Sequence, residues 1–312
     1  MRILELSKQY YFEIIDPLLR EGYPELYPRL ATGLVGNGSE CFGFDDQYSM
    51  DHDCGIEFYI WVTEQDRINL DSLNDFKEQM FRECPPAERI QLHAYKLPVG
   101  ALTVGDFYEQ LIGITHIPQT IGEWIRVPEE NYSLATNGEV FYDGAGEFTK
   151  LREDLLRYYP EDIRLKRIAA ACMEIAQTGQ YNHLRMGKRG DGTTVRLTLA
   201  RFCEAVMALV FMLNRVYRPY YKWMYRMFCE LPILGSELTK PLQNTALWSS
   251  FSEDELERQH LEIDSICAQL INELQKQGLA SSNDSFMATQ GEEIQRSIKT
   301  ESLRNLPANY KI

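Results

Sequence analysis

The chain has 312 residues, 44% hydrophobic and 25% charged, with 20 Gly and 13 Pro, a composition that excludes a wholly disordered, collagen-like or fibrous protein. That length implies two domains or one large one. Its 32 basic and 46 acidic residues leave a formal net charge of −14, a field that speaks against a long nucleic-acid partner or an anionic membrane surface.

The elements run as follows. Ile3, Leu4, Tyr10, Tyr11, Ile14, Ile15 and Leu18 recur at helical spacing and predict an amphipathic opening helix. Thr32–Val35 reads as a short strand running into Gly36-Asn37-Gly38-Ser39. Ile56–Val62, rich in β-branched and aromatic residues, predicts a second strand. A helix over Gln65–Arg82 stops before Pro85-Pro86, and Arg89–Tyr95 alternates like a third strand. Weaker helices around Val104–Ile112 and Pro118–Trp124 lead to a strand at Glu139–Tyr142.

Beyond Gly144 the pattern is helical throughout. Pro160 starts a helix with Glu161 and Asp162 in its first turn. Val195, Leu199, Phe202, Val206, Leu209, Leu213 and Val216 step as a buried bundle helix ended by Pro219. Ser252-Glu253-Asp254-Glu255 opens a last long helix with the stripe Leu256, Ile263, Cys267, Leu270 and Leu274, closed by Gly278. That stripe fits its own bundle or a second subunit, which leaves a homodimer open. The fold class expected is α+β: a mixed β-sheet with flanking helices over residues 1–144, an all-α helical bundle over 145–279, and a mobile segment and tail over 280–312.

The 7 cysteines are scattered, with no C-x-x-C spacing, and read as reduced buried hydrophobes. The N-terminal stretch carries Glu5, Lys8, Glu13 and Asp16 among its apolar positions, unlike a signal peptide. The longest apolar run, Ala205–Leu213, falls short of the about 20 residues of a membrane span. A cytoplasmic protein is expected.

The chemistry-bearing stretch is Gly38 to Asp53. Asp51 and Asp53 stand two apart at the mouth of a strand, so their carboxylates share a face. Two such carboxylates repel unless a cation lies between them, and hard oxygen ligands suit Mg²⁺, which in turn binds phosphate oxygens. Gly38-Ser39 lies where free backbone N–H groups can cradle a phosphate. Rival motifs fail on spacing. The dinucleotide fingerprint needs glycine where Cys41 stands; no Gly-Lys-Ser/Thr is present; an EF-hand from Asp51 needs Glu where Val62 stands. A metal-binding Asp-x-Asp of a sugar-nucleotide glycosyltransferase stays open, though it has no need of Gly38-Ser39.

Gly38-Ser39 followed about a dozen residues later by Asp51-His52-Asp53 entering a strand resembles the signature of the polymerase-β-like nucleotidyltransferase superfamily. With Gly43-Phe44-Asp45-Asp46 and Tyr220-Tyr221-Lys222-Trp223, the chain looks like a bacterial branch of it, similar in plan to kanamycin-type antibiotic nucleotidyltransferases. The resemblance runs from about Thr32 to Trp223. It implies that Gly38 and Ser39 grip the triphosphate of ATP or another NTP, that Asp51 and Asp53 bind Mg²⁺, and that an acceptor hydroxyl attacks the α-phosphorus. The acceptor implied is a small molecule, with a protein or an RNA end less favoured, seated between the α/β and helical parts.

One departure stands out. The superfamily places a third acid in a triplet that aligns with Ile90-Gln91-Leu92, so Gln91 can offer a metal its carbonyl but cannot take a proton. Asp143 and Glu174 are the candidate bases. A nucleotide-binding or interaction protein that keeps the fold without turnover is the alternative. Lys222 is expected on the triphosphate, with Arg215 a weaker second. Asp45 and Asp46 read as a turn or a network around the metal, and His52, His93 and His116 as packing groups. Arg185, Lys188 and Arg189 read as a solvated turn, and Cys172, Met173, Met207 and Met212 as core.

Overall fold

The computed structural model describes residues 2–49, 55–83 and 100–312. Asp51, His52, Asp53, Gln91, His93 and the expected strand Arg89–Tyr95 lie outside the described residues. The chain forms two compact units, Met1–Arg157 and Tyr158–Ile312.

The first unit opens with α1 (Ile3–Tyr10), a π-helical turn over Tyr11–Ile15, and α2 (Asp16–Gly22). The helical periodicity holds across all three, since Ile3, Tyr10, Tyr11, Ile15 and Leu19 are buried. Pro17 explains the widened turn, because it brings no N–H and crowds the carbonyl one turn back. β1 (Ala31–Leu34) and β2 (Tyr59–Val62) follow, then a 3₁₀ turn over Glu64–Asn69 that enters α3 (Leu70–Glu83). β3 (Ala101–Thr103) leads directly into α4 (Val104–Ile112), which is capped by the Thr103 hydroxyl accepting from Asp106 N at 3.0 Å. α5 (Ile121–Arg126), α6 (Glu129–Thr136), β4 (Glu139–Asp143) and α7 (Glu147–Leu156) complete the unit.

The strands form a mixed sheet in the order β3-β2-β1-β4. β1 pairs antiparallel with β2 and β4, and β2 pairs parallel with β3. All four residues of β1 are buried, as a central strand requires. Trp61 of β2 is fully buried, its ring stacked on Phe148 with centroids 3.9 Å apart. α3 is anchored by a buried ion pair: Lys77 Nζ donates to Glu57 Oε2 at 3.0 Å and to Phe58 O at 2.7 Å. The second hydrogen bond satisfies donor capacity that the carboxylate alone would leave buried and unmet.

The second unit is helical among its described residues. α8 (Glu161–Ile175) continues through a π-helical stretch, Ala176–His183, into α9 (Leu184–Lys188). Arg185 and Lys188 are therefore helical, correcting the solvated turn expected for them, with the Arg185 guanidinium 4.4 Å from the Tyr181 ring centroid. α10 (Gly192–Leu213) buries Val195, Leu199, Phe202, Val206, Leu209 and Leu213 as its spacing requires. It ends six residues before Pro219, because Asn214 and Arg215 turn the chain. Arg215 has φ +54°, and Val216 N donates back to Phe211 O at 3.1 Å.

α11 (Tyr221–Phe228), α12 (Gly235–Leu247) and α13 (Glu253–Lys276) follow. The α13 stripe Leu256, Ile263, Cys267, Leu270 and Leu274 is buried within this chain, so the apolar face seen in the sequence packs on its own bundle. Gly278, at φ +69°, closes α13 as expected, whereas Ser252 makes no side-chain cap bond.

Residues 280–312, expected to be mobile, are ordered by packing and by hydrogen bonds. α14 (Met287–Ser297) and α15 (Glu301–Arg304) bury Met287, Ile294 and Leu303. The Glu293 carboxylate accepts from Ser281 N at 3.0 Å and Ser282 N at 3.1 Å. The fully buried Lys166 donates from Nζ to Ala308 O at 3.0 Å and Tyr310 O at 2.6 Å, fastening the last residues onto α8. Burial pulls the Lys166 ammonium down to about 8, and those two carbonyls stand in for the water it has lost.

Cys41, Cys172, Cys203, Cys229 and Cys267 are free thiols. Among the described residues no helix is long and apolar enough to cross a membrane.

Two predictions follow from the packing of the second unit. A Cβ at Gly291 of α14 would lie 2.9 Å from Ala169 O and 3.1 Å from Cys172 Cβ on α8. Gly291→Ala should therefore destabilise the protein by about 1–2 kcal/mol in urea unfolding, against the usual helical preference for alanine. His183 is fully buried, with Nε2 3.0 Å from Gln259 Oε1 and Nδ1 without a partner among the described residues. Burial pushes its imidazole below the ordinary histidine range, so the fold holds it neutral while the unfolded chain takes up a proton near about pH 6.5. Its contribution is thus complete above that pH and is lost as pH falls, with a slope of at most about 1.4 kcal/mol per pH unit. His183→Gln should flatten the decline in unfolding free energy between about pH 6.5 and 5.

Candidate functional site: the glycine loop after the first strand

β1 delivers the buried Leu34 and Val35 into the loop Gly36-Asn37-Gly38-Ser39. Gly36 and Gly38 have φ +112° and +124°, a region side chains disfavour. Gly38 has a second reason to lack a side chain. A Cβ there would lie 2.5 Å from the carboxylate of Glu40, which is itself 1% exposed. Ser39 starts a 3₁₀ turn, Glu40–Phe42, and its carbonyl accepts from Phe42 N at 3.1 Å and Phe44 N at 2.8 Å. The backbone N–H groups of Asn37, Gly38 and Ser39 have no acceptor among the described residues. Consecutive backbone donors in a glycine turn are groups that can serve anionic oxygens.

A second turn, 101 residues away in sequence, holds this loop. Asn137 Oδ1 accepts from Gly36 N at 2.8 Å, and Asn137 Nδ2 donates to Gly36 O at 2.8 Å. Gly138 N donates to Cys41 O at 2.8 Å, and at φ +61° a Cβ on Gly138 would sit 2.0 Å from Leu34 O. The same turn is fastened to α7 by Arg152, which donates from Nη2 to Thr136 O at 2.7 Å and Gly138 O at 3.2 Å. Burial lowers the Arg152 pKa, and the carbonyls offset part of that penalty. Under the loop, burial chiefly, then Cys41, Glu57 and Glu40, push the Tyr59 phenol up to about 12.

Gly38 and Ser39 are thus brought together in the first unit. Glu174 and Lys222 belong to the second, and among the described residues no hydrogen bond or ion pair joins Glu174 to Lys222. Glu174 on α8 pairs with Lys311 at 3.2 Å. Lys222 is exposed in the first turn of α11, its Nζ 4.9 Å from the Trp223 ring centroid. Asp143 caps α7, accepting from Gly146 N at 2.8 Å and Thr149 N at 2.7 Å, so its carboxylate is committed to structure. Asp45 Oδ2 accepts from Ile3 N at 3.1 Å at the start of α1, and Asp46 Oδ1 closes a turn on Tyr48 N at 2.9 Å and Ser49 N at 3.1 Å. Among the described residues no group of three or more His, Cys, Asp and Glu side chains is arranged to hold a metal ion.

Asn137, Gly138 and Arg152 were not singled out from the sequence. The Asn-Gly dipeptide immediately before β4 is a turn signal, but nothing local reveals which loop it grips.

Residues 124–224 match a family model described as "Domain of unknown function (DUF4037)". The match takes in Asn137, Glu174 and Lys222, and it leaves Gly38, Ser39, Asp51, Asp53 and Gln91 outside. No curated protein and no solved structure matches the chain.

Asn137→Ala should strand a buried N–H and a buried C=O on Gly36, costing about 2–3 kcal/mol in denaturant unfolding. Amide exchange across residues 36–39 should accelerate in that variant. Asn137→Asp, which keeps the acceptor but not the donor, should fall between it and the native protein.

Proposed function

We propose that this protein is a Mg²⁺-dependent nucleotidyltransferase, which moves a nucleoside monophosphate from ATP or another NTP onto a hydroxyl of a small-molecule acceptor and releases pyrophosphate. The observation that carries this reading is the row of three N–H groups at Asn37, Gly38 and Ser39 that have no acceptor among the described residues, on a loop pinned by Asn137. In sequence the loop is followed by Asp51 and Asp53 and then by β2. Neutral backbone donors let an acidic protein bind a polyphosphate without a broad basic groove.

Asp51 and Asp53, with Gln91 as a neutral third donor, are the residues proposed to hold the ion. Bound Mg²⁺ would supply charge neutralisation at the phosphates. The loop N–H groups would orient the triphosphate, so that the acceptor oxygen forms a bond to the α-phosphorus as the bond to the pyrophosphate oxygen breaks. The acceptor's proton needs a carboxylate. With Asp143 engaged as a helix cap, Glu174 remains the proposed base. Lys222, exposed and without an ion pair among the described residues, is proposed to meet phosphate charge. Gln91 keeps a second reading in view, a nucleotide-binding protein of the same fold without turnover.

Thermal unfolding with each NTP tests both readings. Mg²⁺ and NTP together should raise the midpoint, by the equivalent of about 2.7 kcal/mol at a hundredfold excess over Kd, with little effect of nucleotide in EDTA. Asp51→Asn with Asp53→Asn should abolish the shift. The absence of a shift with every nucleotide would overturn both readings. A shift without pyrophosphate release across an acceptor panel would favour the silent binder, and turnover gained in Gln91→Glu would show that the native chain lacks a third acid at that position.

A further inference from the structure

A second cluster, wholly within the helical unit, has chemistry that the proposed transfer reaction does not account for. Arg164 on α8 is 3% exposed, yet its Nε and Nη1 donate to nothing among the described residues. A guanidinium is permanently charged and carries five donors, so leaving it buried with open N–H groups is costly. Its nearest counter-ion is Glu161, whose Oε2 lies 3.6 Å from Arg164 Nε, beyond hydrogen-bonding distance. That same oxygen accepts from Arg215 Nη2 at 2.8 Å. Two cations therefore share one carboxylate oxygen, and the better hydrogen bond goes to the more exposed of the two.

The backbone around the cluster is also unusual. Arg215 occupies the left-handed position of a helix-ending motif, with Arg215 N donating to Met212 O at 3.3 Å and Val216 N to Phe211 O at 3.1 Å. Glycine is the ordinary residue at that position, and arginine holds φ +54° there. Tyr158, just past the end of α7, is likewise left-handed at φ +73°. Its ring packs against Tyr217, with centroids 4.7 Å apart. Among the described residues, two of the three non-glycine residues with positive φ thus lie beside one buried guanidinium. Strain of this kind persists where the surroundings impose it, and it concentrates at ligand sites. Burial chiefly lowers the Arg164 pKa; the Glu161 charge opposes it, and the neighbouring Arg215 charge adds a smaller push downward.

We propose that Arg164 and Arg215 form a binding site for a phosphate-class oxyanion, with the Glu161 carboxylate as the internal anion that it displaces. Arg164 forms the floor of the site, and the half-exposed Arg215 and Glu161 form its rim. Paired guanidiniums match tetrahedral oxyanions through parallel N–H···O bonds. Glu161, 47% exposed, can turn outward to water when the oxyanion enters. The ligand is either a free phosphate or the phosphate end of a larger molecule, and the chemistry is the same for both.

Isothermal titration calorimetry of the full chain tests this, with inorganic phosphate, pyrophosphate or ATP, in EDTA at fixed ionic strength. Metal-dependent nucleotide binding at the glycine loop is silent under those conditions, so either reading can fail alone. Saturable binding of at least one of the three is expected. Phosphate or pyrophosphate binding without ATP binding identifies a free-anion site, and ATP competing with phosphate identifies a phosphate-end site; each supports the proposal.

Arg215→Gly removes the rim cation while placing glycine at a position that suits it, and circular dichroism should report a folded protein. Affinity should fall about tenfold or more in Arg215→Gly and in Arg164→Lys, and should rise about fivefold in Glu161→Gln, where the internal competitor is gone. A merely structural role for Glu161 would not tighten anion binding. Absence of saturable binding by the native chain, unchanged affinity in folded Arg215→Gly, or weaker binding in Glu161→Gln would overturn the proposal.

Discussion

The carboxamide of Asn137 donates to and accepts from the backbone of Gly36 at once, joining residues 101 apart in sequence. Each partner depends on the other. The loop after β1 has two glycines in conformations that side chains disfavour, and its next three N–H groups have no acceptor among the described residues. Such a loop collapses onto whatever acceptor is near unless its entrance is fixed. The fixing passes outward through Gly138, whose N–H reaches Cys41, and through Arg152, which carries the turn onto α7. Antiparallel pairing of β1 with β4 sets the distance between the two turns, so the sheet acts as the frame and the amide as the latch.

The sequence was most legible where one local rule decides the outcome. The central strands followed from β-branched and aromatic runs, α10 and α13 from their apolar stripes, and the end of α13 from Gly278. Legibility failed where distant partners decide. β3 has only three residues and owes its existence to the edge of β2 that it pairs with, so alternation had nothing to register. Pro219 looked like the terminator of α10, yet the helix closes earlier. Asn214 is held there by Ile233, with Oδ1 accepting from Ile233 N at 2.9 Å and Nδ2 donating to Ile233 O at 3.0 Å. Residues 280–291 carry small polar side chains that suggest mobility, but Glu293 and Gln290 collect their backbone groups. For the candidate site, Gly38 and Ser39 were readable from composition and spacing. The residues that hold them were not, because a latch between two turns leaves no periodic trace.

Buried charge in this protein is handled in two distinct ways. Lys77 meets both a carboxylate and a carbonyl, and Lys166 meets two carbonyls, so each ammonium recovers much of the solvation it gave up. Asp16 is likewise engaged, accepting from Arg20 and from the hydroxyls of Tyr11 and Tyr27. These groups act as internal fasteners: one ties α3 to the strand region, one ties the last residues to α8, and one closes the opening helices. Arg164 differs from all three, because its buried Nε and Nη1 meet no acceptor among the described residues. Against neighbours that are well satisfied, that shortfall carries information about function.

The formal charge of −14 describes the average surface, and neither candidate anion site depends on that average. At the glycine loop the donors are uncharged amides, so their attraction for phosphate oxygens adds no cation for the acidic surface to neutralise. At Arg164 the cation is withdrawn from solvent, where an ion pair is screened much less than at the surface, so the nearest groups decide what it meets. Both devices act over a few ångströms, which is the range at which one phosphate group can be held and a long polyanion cannot. An acidic protein built this way would select small phosphate ligands over nucleic acid by geometry as well as by charge. The same two features, open backbone donors and an under-coordinated guanidinium, are the ones a folding argument alone leaves unexplained.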